Sequence, residues 1–292
     1  MLAPMTPRPD PLESLALRLD LAGTVDEVRA ACVELRSHPA LRRHAEEAAA
    51  EAGIRAARAN AALAGARLPV DAVREAVLGL ALYPSDAAGD TVRGAVRVNA
   101  EVERLGSLWQ RAPLQALARL HVAAGAGLIP DDALGRPRLP GEDPLDGHDL
   151  FAEDGSPVPA PAGGSEVAER LKALRKLLAK PGGRTAPVLL VAAAAHAELM
   201  ITRPFLAGNA LVARGICRSI LRYAGFDPTG VVVWEAGLLA MGVRYPLSLA
   251  RYADDEDGAA DWLRTFAAAM LDGVAEGRNV CDAVAQGRLT SR

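Results

Sequence analysis

A short loop between two predicted helices, residues 203–208, is the feature that most constrains this chain. An apolar, alanine-rich stretch leads into it, and a stretch with arginines every four residues follows it. Pro204 and Gly208 interrupt the helical pattern between the two. The step from Gly208 to Asn209 opens the second helix, where backbone N–H groups have no partner within the helix. Because the helix dipole is positive at that end, the sequence predicts a seat for a phosphate or a carboxylate.

The composition predicts a mainly α fold. Hydrophobic residues make up 50% of the 292 residues and aromatic residues only 4%, so alanine and leucine supply most of the apolar surface. No run reaches the ~18 apolar residues that a membrane span requires. The formal net charge of -3 lacks the basic surplus of a general nucleic-acid binder. We therefore expect partners other than nucleic acid or membrane.

The cysteines and histidines indicate no metal site. Cys32, Cys217 and Cys281 are far apart and form no CxxC pair. No pair of histidines has the spacing of metal ligands. An odd number of scattered cysteines is typical of a reducing compartment, so we expect a cytoplasmic protein without a disulfide framework.

The loop and the helix after it resemble the signature of the Fic (Fido) family, which transfers AMP or related phosphate-containing groups to protein hydroxyls. The family pattern is His-x-Phe-x-(Asp/Glu)-Gly-Asn-Gly-Arg-x-x-Arg. The positions that match it are Phe205, Gly208, Asn209 and Arg214. The positions that depart from it are Arg203 for the His, Ala207 for the acid, Ala210 for the second Gly and Leu211 for the first Arg.

The departures remove the residues that the resemblance assigns to the chemistry. In the family the His is the general base and the acid holds Mg²⁺ on the nucleotide phosphates. Arg203 stays protonated and cannot accept a proton, and Ala207 offers no oxygen to a metal. Loss of a general base alone costs ~10²–10⁴ in rate. We therefore expect no catalytic residue, no metal site and no ordinary AMP transfer.

The residues that remain could still bind an anion. Two guanidinium groups beside a helix start are suited to phosphate, because each offers paired donors. This hypothesis places a nucleotide such as ATP, without Mg²⁺, or another phosphorylated ligand against Arg203, Gly208, Asn209 and Arg214. The alternatives are that Arg203 is a surface residue or pairs with Glu198, and that Arg214 belongs to a buried ion pair.

A second resemblance concerns residues 60–65. Many Fic proteins carry an inhibitory helix with the pattern (Ser/Thr)-x-x-x-Glu-Gly, whose Glu pairs with the last Arg of the signature. Here Asn60 begins the aligned stretch, Ala64 replaces the Glu and Gly65 is kept. The resemblance thus implies a degenerate inhibitory helix.

Prolines and glycines predict where helices begin and end. Pro39 predicts the start of a long helix that ends near Gly65. Pro69, Pro113 and Pro187 predict further helix starts.

The resemblance and the local composition together predict four segments. These are a disordered arm (1–11), an amino-terminal helical bundle (12–109), a Fic/Fido-like domain (110–255), and a carboxy-terminal helix and tail (256–292). Within the third segment, residues 125–161 are rich in Gly, Pro and Asp and correspond to the flap, a short β-hairpin that lines a target peptide in the family.

Three functions remain open at this stage. The first is a degenerate Fic protein that binds a nucleotide or another phosphorylated ligand at residues 203–214. The second is a nucleotidyl- or phosphoryl-group transferase that acts on a protein hydroxyl without Mg²⁺. The third is a scaffold that holds a protein partner at the flap region by strand addition.

Overall fold

The computed structural model describes residues 10–146, 150, 155, 156, 158, 163–179 and 186–289. Most of the predicted arm, residues 1–9, lies outside the described residues, and the first helix begins at Pro11. Within the described ranges the chain is helical, and its only β feature is a single bridge between Ala126 and Ile129. The predicted mainly α fold is confirmed. The predicted flap hairpin does not appear in the described part of residues 125–161.

Thirteen α-helices lie within the described residues. They are α1 (Pro11–Arg18), α2 (Ala22–Arg36), α3 (Ala45–Leu63), α4 (Val70–Val77), α5 (Ala87–Leu105), α6 (Leu108–Arg111), α7 (Pro113–Gly125), α8 (Ser165–Leu178), α9 (Val188–Thr202), α10 (Asn209–Tyr223), α11 (Trp234–Ala240), α12 (Arg244–Tyr252) and α13 (Glu256–Ala285). None of them combines the length and the apolar character needed to cross a bilayer.

The predicted helix starts agree with the structure at three prolines and differ at one. Pro69 and Pro187 immediately precede α4 and α9, and Pro113 is the first residue of α7. Pro39 instead opens a 3₁₀ turn, Pro39–Arg42, and α3 begins only at Ala45. The prediction of one long helix was therefore wrong, because the chain leaves the helical conformation at Arg43 and His44 before it resumes.

One continuous apolar core joins the described helices except α4, whose buried Val73 lies in a second, smaller apolar cluster with residues of α3 and α5. α9 and α10 pack against each other at its centre, with α5 and α7 against α10. α13 packs against α11, α12, α2 and α3, so the amino-terminal and carboxy-terminal helices cover the same core. The boundaries predicted at residues 109 and 255 remain a prediction, since the core extends across both.

α9 is central because its sequence is apolar on every side. Thirteen of its fifteen residues are buried, including the run of four alanines at residues 192–195. A helix that is hydrophobic all round is stable only when other elements surround it. The small alanine side chains let neighbouring backbones approach closely. This places the end of α9, and hence the predicted loop, inside the protein.

The arginines spaced along α10 form ion pairs. The Arg218 guanidinium binds Glu235 through both carboxylate oxygens, at 2.9 and 2.5 Å, and both side chains are buried. Arg222 lies 2.8 Å from Glu103. Removing one partner of a buried pair leaves an uncompensated charge and costs about 3–5 kcal/mol. Arg218 therefore holds α10 in place, whereas the half-exposed Arg222–Glu103 pair contributes little, and both arginines are paired away from the loop.

His196 on α9 lies in an aromatic cluster with Trp234, Tyr245, Trp262 and Phe266. Its Nε2 is 2.8 Å from the Tyr245 hydroxyl, and its ring stacks on Trp262. Burial lowers the pKa of His196 to about 3. Burial likewise lowers the pKa of His121 on α7 to about 4, whereas burial raises the pKa of the Asp227 carboxyl to about 6. The two histidines are thus neutral in the folded protein at pH 7.

These shifts predict acid destabilisation. Below pH 6.5 the unfolded chain binds protons at His196 and His121 that the folded chain excludes, so the free energy of unfolding falls as the pH falls. By pH 5 the loss is about 2 kcal/mol for each histidine. Asp227 acts in the opposite direction, because the folded chain protonates it at a higher pH than the unfolded chain does, and it offsets about 1 kcal/mol.

Urea unfolding at pH 7 and pH 5 tests this prediction. We expect His196→Gln to reduce the difference between the two pH values by about 2 kcal/mol. His44→Gln, at a half-exposed histidine, is the matched control. An unchanged difference in the His196 variant would show that this histidine is protonated in the folded protein.

Candidate functional site

Two residues with left-handed backbone conformation shape the loop between α9 and α10. Arg203 has φ 42° and ends α9, with its N–H donating to the Leu199 carbonyl at 2.9 Å. Gly208 has φ 77° and precedes α10. A Cβ at Gly208 would lie 3.0 Å from the Ala124 Cβ on α7, so glycine is required there for both its conformation and its size.

The Asn209 side chain holds this loop against the start of α10. Its Oδ1 accepts the Phe205 N–H at 2.8 Å, and its Nδ2 donates to the Phe205 carbonyl at 2.8 Å. Asn209 is buried, so these hydrogen bonds are shielded from water. The pair of bonds fixes both the orientation of the amide and the distance between loop and helix.

A carboxylate from the chain itself occupies the predicted anion seat. Asp146 Oδ2 accepts the backbone N–H of Asn209 at 3.1 Å, and Asp146 Oδ1 accepts Nδ2 of the same residue at 2.8 Å. The N–H groups of the next two residues, Ala210 and Leu211, have no hydrogen-bond partner in the part of the chain that the structure describes. The start of α10 is thus hydrogen-bonded to a carboxylate of the chain itself, and binding of a phosphorylated ligand there stays a prediction.

The segment that carries Asp146 runs along the loop. The Arg138 N–H donates to the Pro204 carbonyl, and the Leu145 N–H donates to the Leu206 carbonyl, each at 2.7 Å. The buried Arg138 guanidinium adds a bond to the Arg203 carbonyl at 2.8 Å. This part of the predicted flap region therefore lies directly on the signature loop.

The structure does not place Arg203 on the surface. Its side chain is buried, and its guanidinium donates to the Val158 carbonyl. The alternative partner considered for it, Glu198, contacts the Tyr252 hydroxyl at 3.1 Å and Arg170 at 4.0 Å instead. Arg203 therefore helps to hold residues 138–158 against the loop.

Arg214 extends from α10 to α3, where it meets Asn60. Its Nε donates to Asn60 Oδ1 and its Nη2 to the Asn60 carbonyl at 3.5 Å. Arg214 is only 1% exposed, and among the described residues its hydrogen bonds go to this neutral residue alone. A buried guanidinium without a carboxylate is costly, because its charge is not compensated.

The contact with α3 involves Asn60 and not the position where the family has Glu. Ala64 and Gly65 lie exposed at the carboxy-terminal end of α3, and Gly65 has φ 87°. Asn60 lies one helical turn earlier and is buried. The structure thus brings α3 onto the last arginine of the signature, through a side chain that carries no charge.

His121 is a part of the site that the sequence analysis missed. Its ring stacks on Phe205 with centroids 4.0 Å apart, and its Nδ1 accepts the Gly135 N–H at 2.9 Å. His121 is fully buried on the apolar face of α7, so nothing in the sequence distinguishes it from a core residue. The stacking fixes Phe205, and through it the turn that Asn209 closes.

The polar groups near the loop are mostly hydrogen-bond donors. In the ranges that the structure describes, no group of three His, Cys, Asp or Glu residues could hold a metal ion. Ala207 is buried in a small apolar cluster with Ile129 and Ala133. The donors that remain are the backbone N–H groups of α10, the Asn209 amide and the Arg214 guanidinium.

No family model matches the sequence, and no curated protein matches it either. Solved structures do resemble the fold. A Fic family protein from Desulfovibrio desulfuricans G20 superposes with a TM-score of 0.69 at 19% identity, over 97% of this chain and 78% of that one. Fic-1 from C. elegans gives a TM-score of 0.59 at 15% identity, over 91% of this chain and 74% of that one.

A Fic domain containing signaling protein from Bacteroides thetaiotaomicron VPI-5482 gives a TM-score of 0.58 at 11% identity. That comparison covers 89% of this chain and 98% of the other. At such low identities the likeness establishes the architecture and leaves the activity open. The resemblance found in the signature loop extends to the whole chain, which has the fold of the Fic family.

Proposed function

We propose that this protein is a degenerate Fic protein that does not transfer AMP and binds a phosphorylated ligand, without Mg²⁺, at the start of α10. The observation that carries the proposal is the buried Arg214 guanidinium, whose hydrogen bonds within the described residues go to a neutral amide. An anion at this site would compensate that charge.

Geometry supports a shared site for Arg214 and the helix start. Residues three and four apart share a helix face, and side chains tilt toward the amino terminus, so Arg214 shares a face of α10 with Ala210 and Leu211. The helix dipole adds to the attraction of their N–H groups for an anion. A phosphate has three or more acceptor oxygens arranged around one centre, so it could bind more of these donors at once than a carboxylate with its two oxygens.

The absence of transfer chemistry follows from the side chains at the loop. Arg203 occupies the position of the family base and is permanently charged. His121, the histidine stacked on the loop, is fully buried, and its Nδ1 already accepts the Gly135 N–H. A target hydroxyl would therefore lack a group to accept its proton.

The first test is direct. We expect the purified protein, incubated with ATP and Mg²⁺, to carry no AMP on itself or on a protein that co-purifies with it. Intact-mass and peptide mass spectrometry would detect the adduct. An AMP group on either protein would refute the proposal and favour a transferase with rebuilt chemistry.

The second test concerns the metal. Because Ala207 offers no carboxylate to Mg²⁺, we expect the dissociation constant of ADP to agree within a few-fold in buffers with Mg²⁺ and with EDTA. Isothermal titration calorimetry measures both. A large gain in affinity with Mg²⁺ would contradict metal-independent binding and indicate that another carboxylate serves as the ligand.

The third test uses the partner of Arg214. Asn60→Asp gives the buried guanidinium a charged acceptor, so we expect the free energy of unfolding to rise by about 1 kcal/mol. The same change should weaken binding of inorganic pyrophosphate at least ten-fold, because the new carboxylate competes for Arg214. Asn60→Ala should lower stability by about 1.5–3 kcal/mol.

Gln286→Glu, which adds the same charge at an exposed position of the carboxy-terminal end, is the control for net charge. If Asn60→Asp raises stability and leaves the affinity for pyrophosphate unchanged, Arg214 is a purely structural residue. The ligand would then have to be assigned to other donors.

A further inference from the structure

The internal carboxylate at the start of α10 has the hydrogen-bonding chemistry of the ligand proposed above. Asp146 accepts the Asn209 N–H at 3.1 Å and its side-chain Nδ2 at 2.8 Å. Carboxylates and phosphates share a negative charge and acceptor oxygens, and both are favoured at a helix start. The anion seat is therefore built, and the chain fills it with one of its own side chains.

We propose that Asp146 is a lock on this seat, and that a phosphorylated ligand binds only when the Asp146 carboxylate leaves it. This inference rests on the proposed function and adds its regulation. It gives residues 138–146 a role in controlling access to the start of α10. The resemblances to the Fic signature and to the inhibitory helix give these residues no such role.

The donors of Asn209 cannot serve both anions. A side-chain amide has two N–H donors, and here one donates to the Phe205 carbonyl and the other to Asp146. The amide cannot flip to offer more, because its Oδ1 accepts the Phe205 N–H. The single backbone N–H of Asn209 is also taken by Asp146. A phosphate that uses these donors must displace the carboxylate.

The lock is held close to the seat. The Arg138 N–H and the Leu145 N–H bind the carbonyls of Pro204 and Leu206, so Asp146 follows a segment fixed to the loop at both ends. An internal competitor of this kind acts at a high effective concentration, in the millimolar range for short tethers. The apparent dissociation constant of the ligand equals the intrinsic one divided by the fraction of molecules in which the seat is open.

The seat offers a ligand more than the lock uses. The N–H groups of Ala210 and Leu211 remain without partners within the described residues, and Arg214 remains without a carboxylate. Asp146 thus blocks the Asn209 donors but leaves the other donors of the site without an anion. A diphosphate could engage both sets of donors, which gives it an advantage over the carboxylate once the segment moves.

The experiment compares the affinity of inorganic pyrophosphate for four proteins in EDTA, by calorimetry. The proteins are the wild type, Asp146→Asn, Asp146→Ala and the control Asp143→Asn, which removes the same charge from an exposed side chain of the same segment. We expect both Asp146 variants to bind about ten-fold more tightly than the wild type, and Asp143→Asn to stay within two-fold. Circular dichroism and thermal unfolding confirm that each variant is folded before titration.

The other outcomes separate the lock from the proposed function. Equal, measurable affinities in the wild type and the Asp146 variants would overturn the lock and leave the phosphate site in place. Weaker binding in the Asp146 variants would overturn the lock and show that Asp146 helps to hold the ligand. No binding in any of the four proteins would overturn both the proposed function and the lock.

Discussion

The hydrogen bonds of the Asn209 side chain are the interaction on which the site depends. This buried amide joins the loop to the start of α10 through both polar groups of Phe205, and it presents its remaining donor to an anion. Without that bridge, the turn would have to be held by the left-handed residues Arg203 and Gly208 alone. Positive φ is uncommon for a residue such as Arg203, and glycine adopts positive and negative φ about equally, so backbone preference alone would not hold the turn. The geometry of the anion seat therefore follows from one amide whose three hydrogen bonds leave no freedom of orientation.

Arg214 and Arg218 lie one turn apart on the same face of α10, and they differ in whether a carboxylate compensates their buried charge. Arg218 is compensated by Glu235 through a bidentate pair, and the pair also reaches the Val232 carbonyl. Arg214 is buried to a similar extent and binds only Asn60 among the described residues. The first arrangement is a structural ion pair. The second keeps a desolvated positive charge in the protein interior, and the cost of doing so is a physical argument for a site that an anion completes.

The sequence predicted the helices and the loop because both are encoded locally. Prolines marked three helix starts correctly, and the apolar, alanine-rich run before the loop is helical as predicted. The contacts that define the site are not local. Asp146 lies 63 residues from Asn209, in a stretch rich in Gly and Pro without apolar periodicity, and Asn60 lies 154 residues from Arg214. Nothing in the composition around Asp146 indicates which distant donor it meets, so its contact with Asn209 could not be predicted. The contact of α3 with Arg214 is implied only by the resemblance of residues 60–65 to the inhibitory helix, and that resemblance does not single out Asn60 as the partner. The error at Pro39 has a local origin instead, since a proline is as compatible with a 3₁₀ turn as with the first turn of an α-helix.

The residues that the signature has lost and those it has kept differ in kind. A general base and a metal ligand are single side chains, and one substitution removes the chemistry that each supplies. The N–H groups at the start of α10 belong to the backbone, so they persist through any substitution that preserves the helix and the turn before it. Gly208 and Asn209 are the two residues that preserve that turn, and both remain. Loss of catalysis and retention of anion binding are therefore compatible on this fold. In the structure Asp146 accepts both the backbone and a side-chain N–H of Asn209, so these two donors at the start of α10 are not left unpaired.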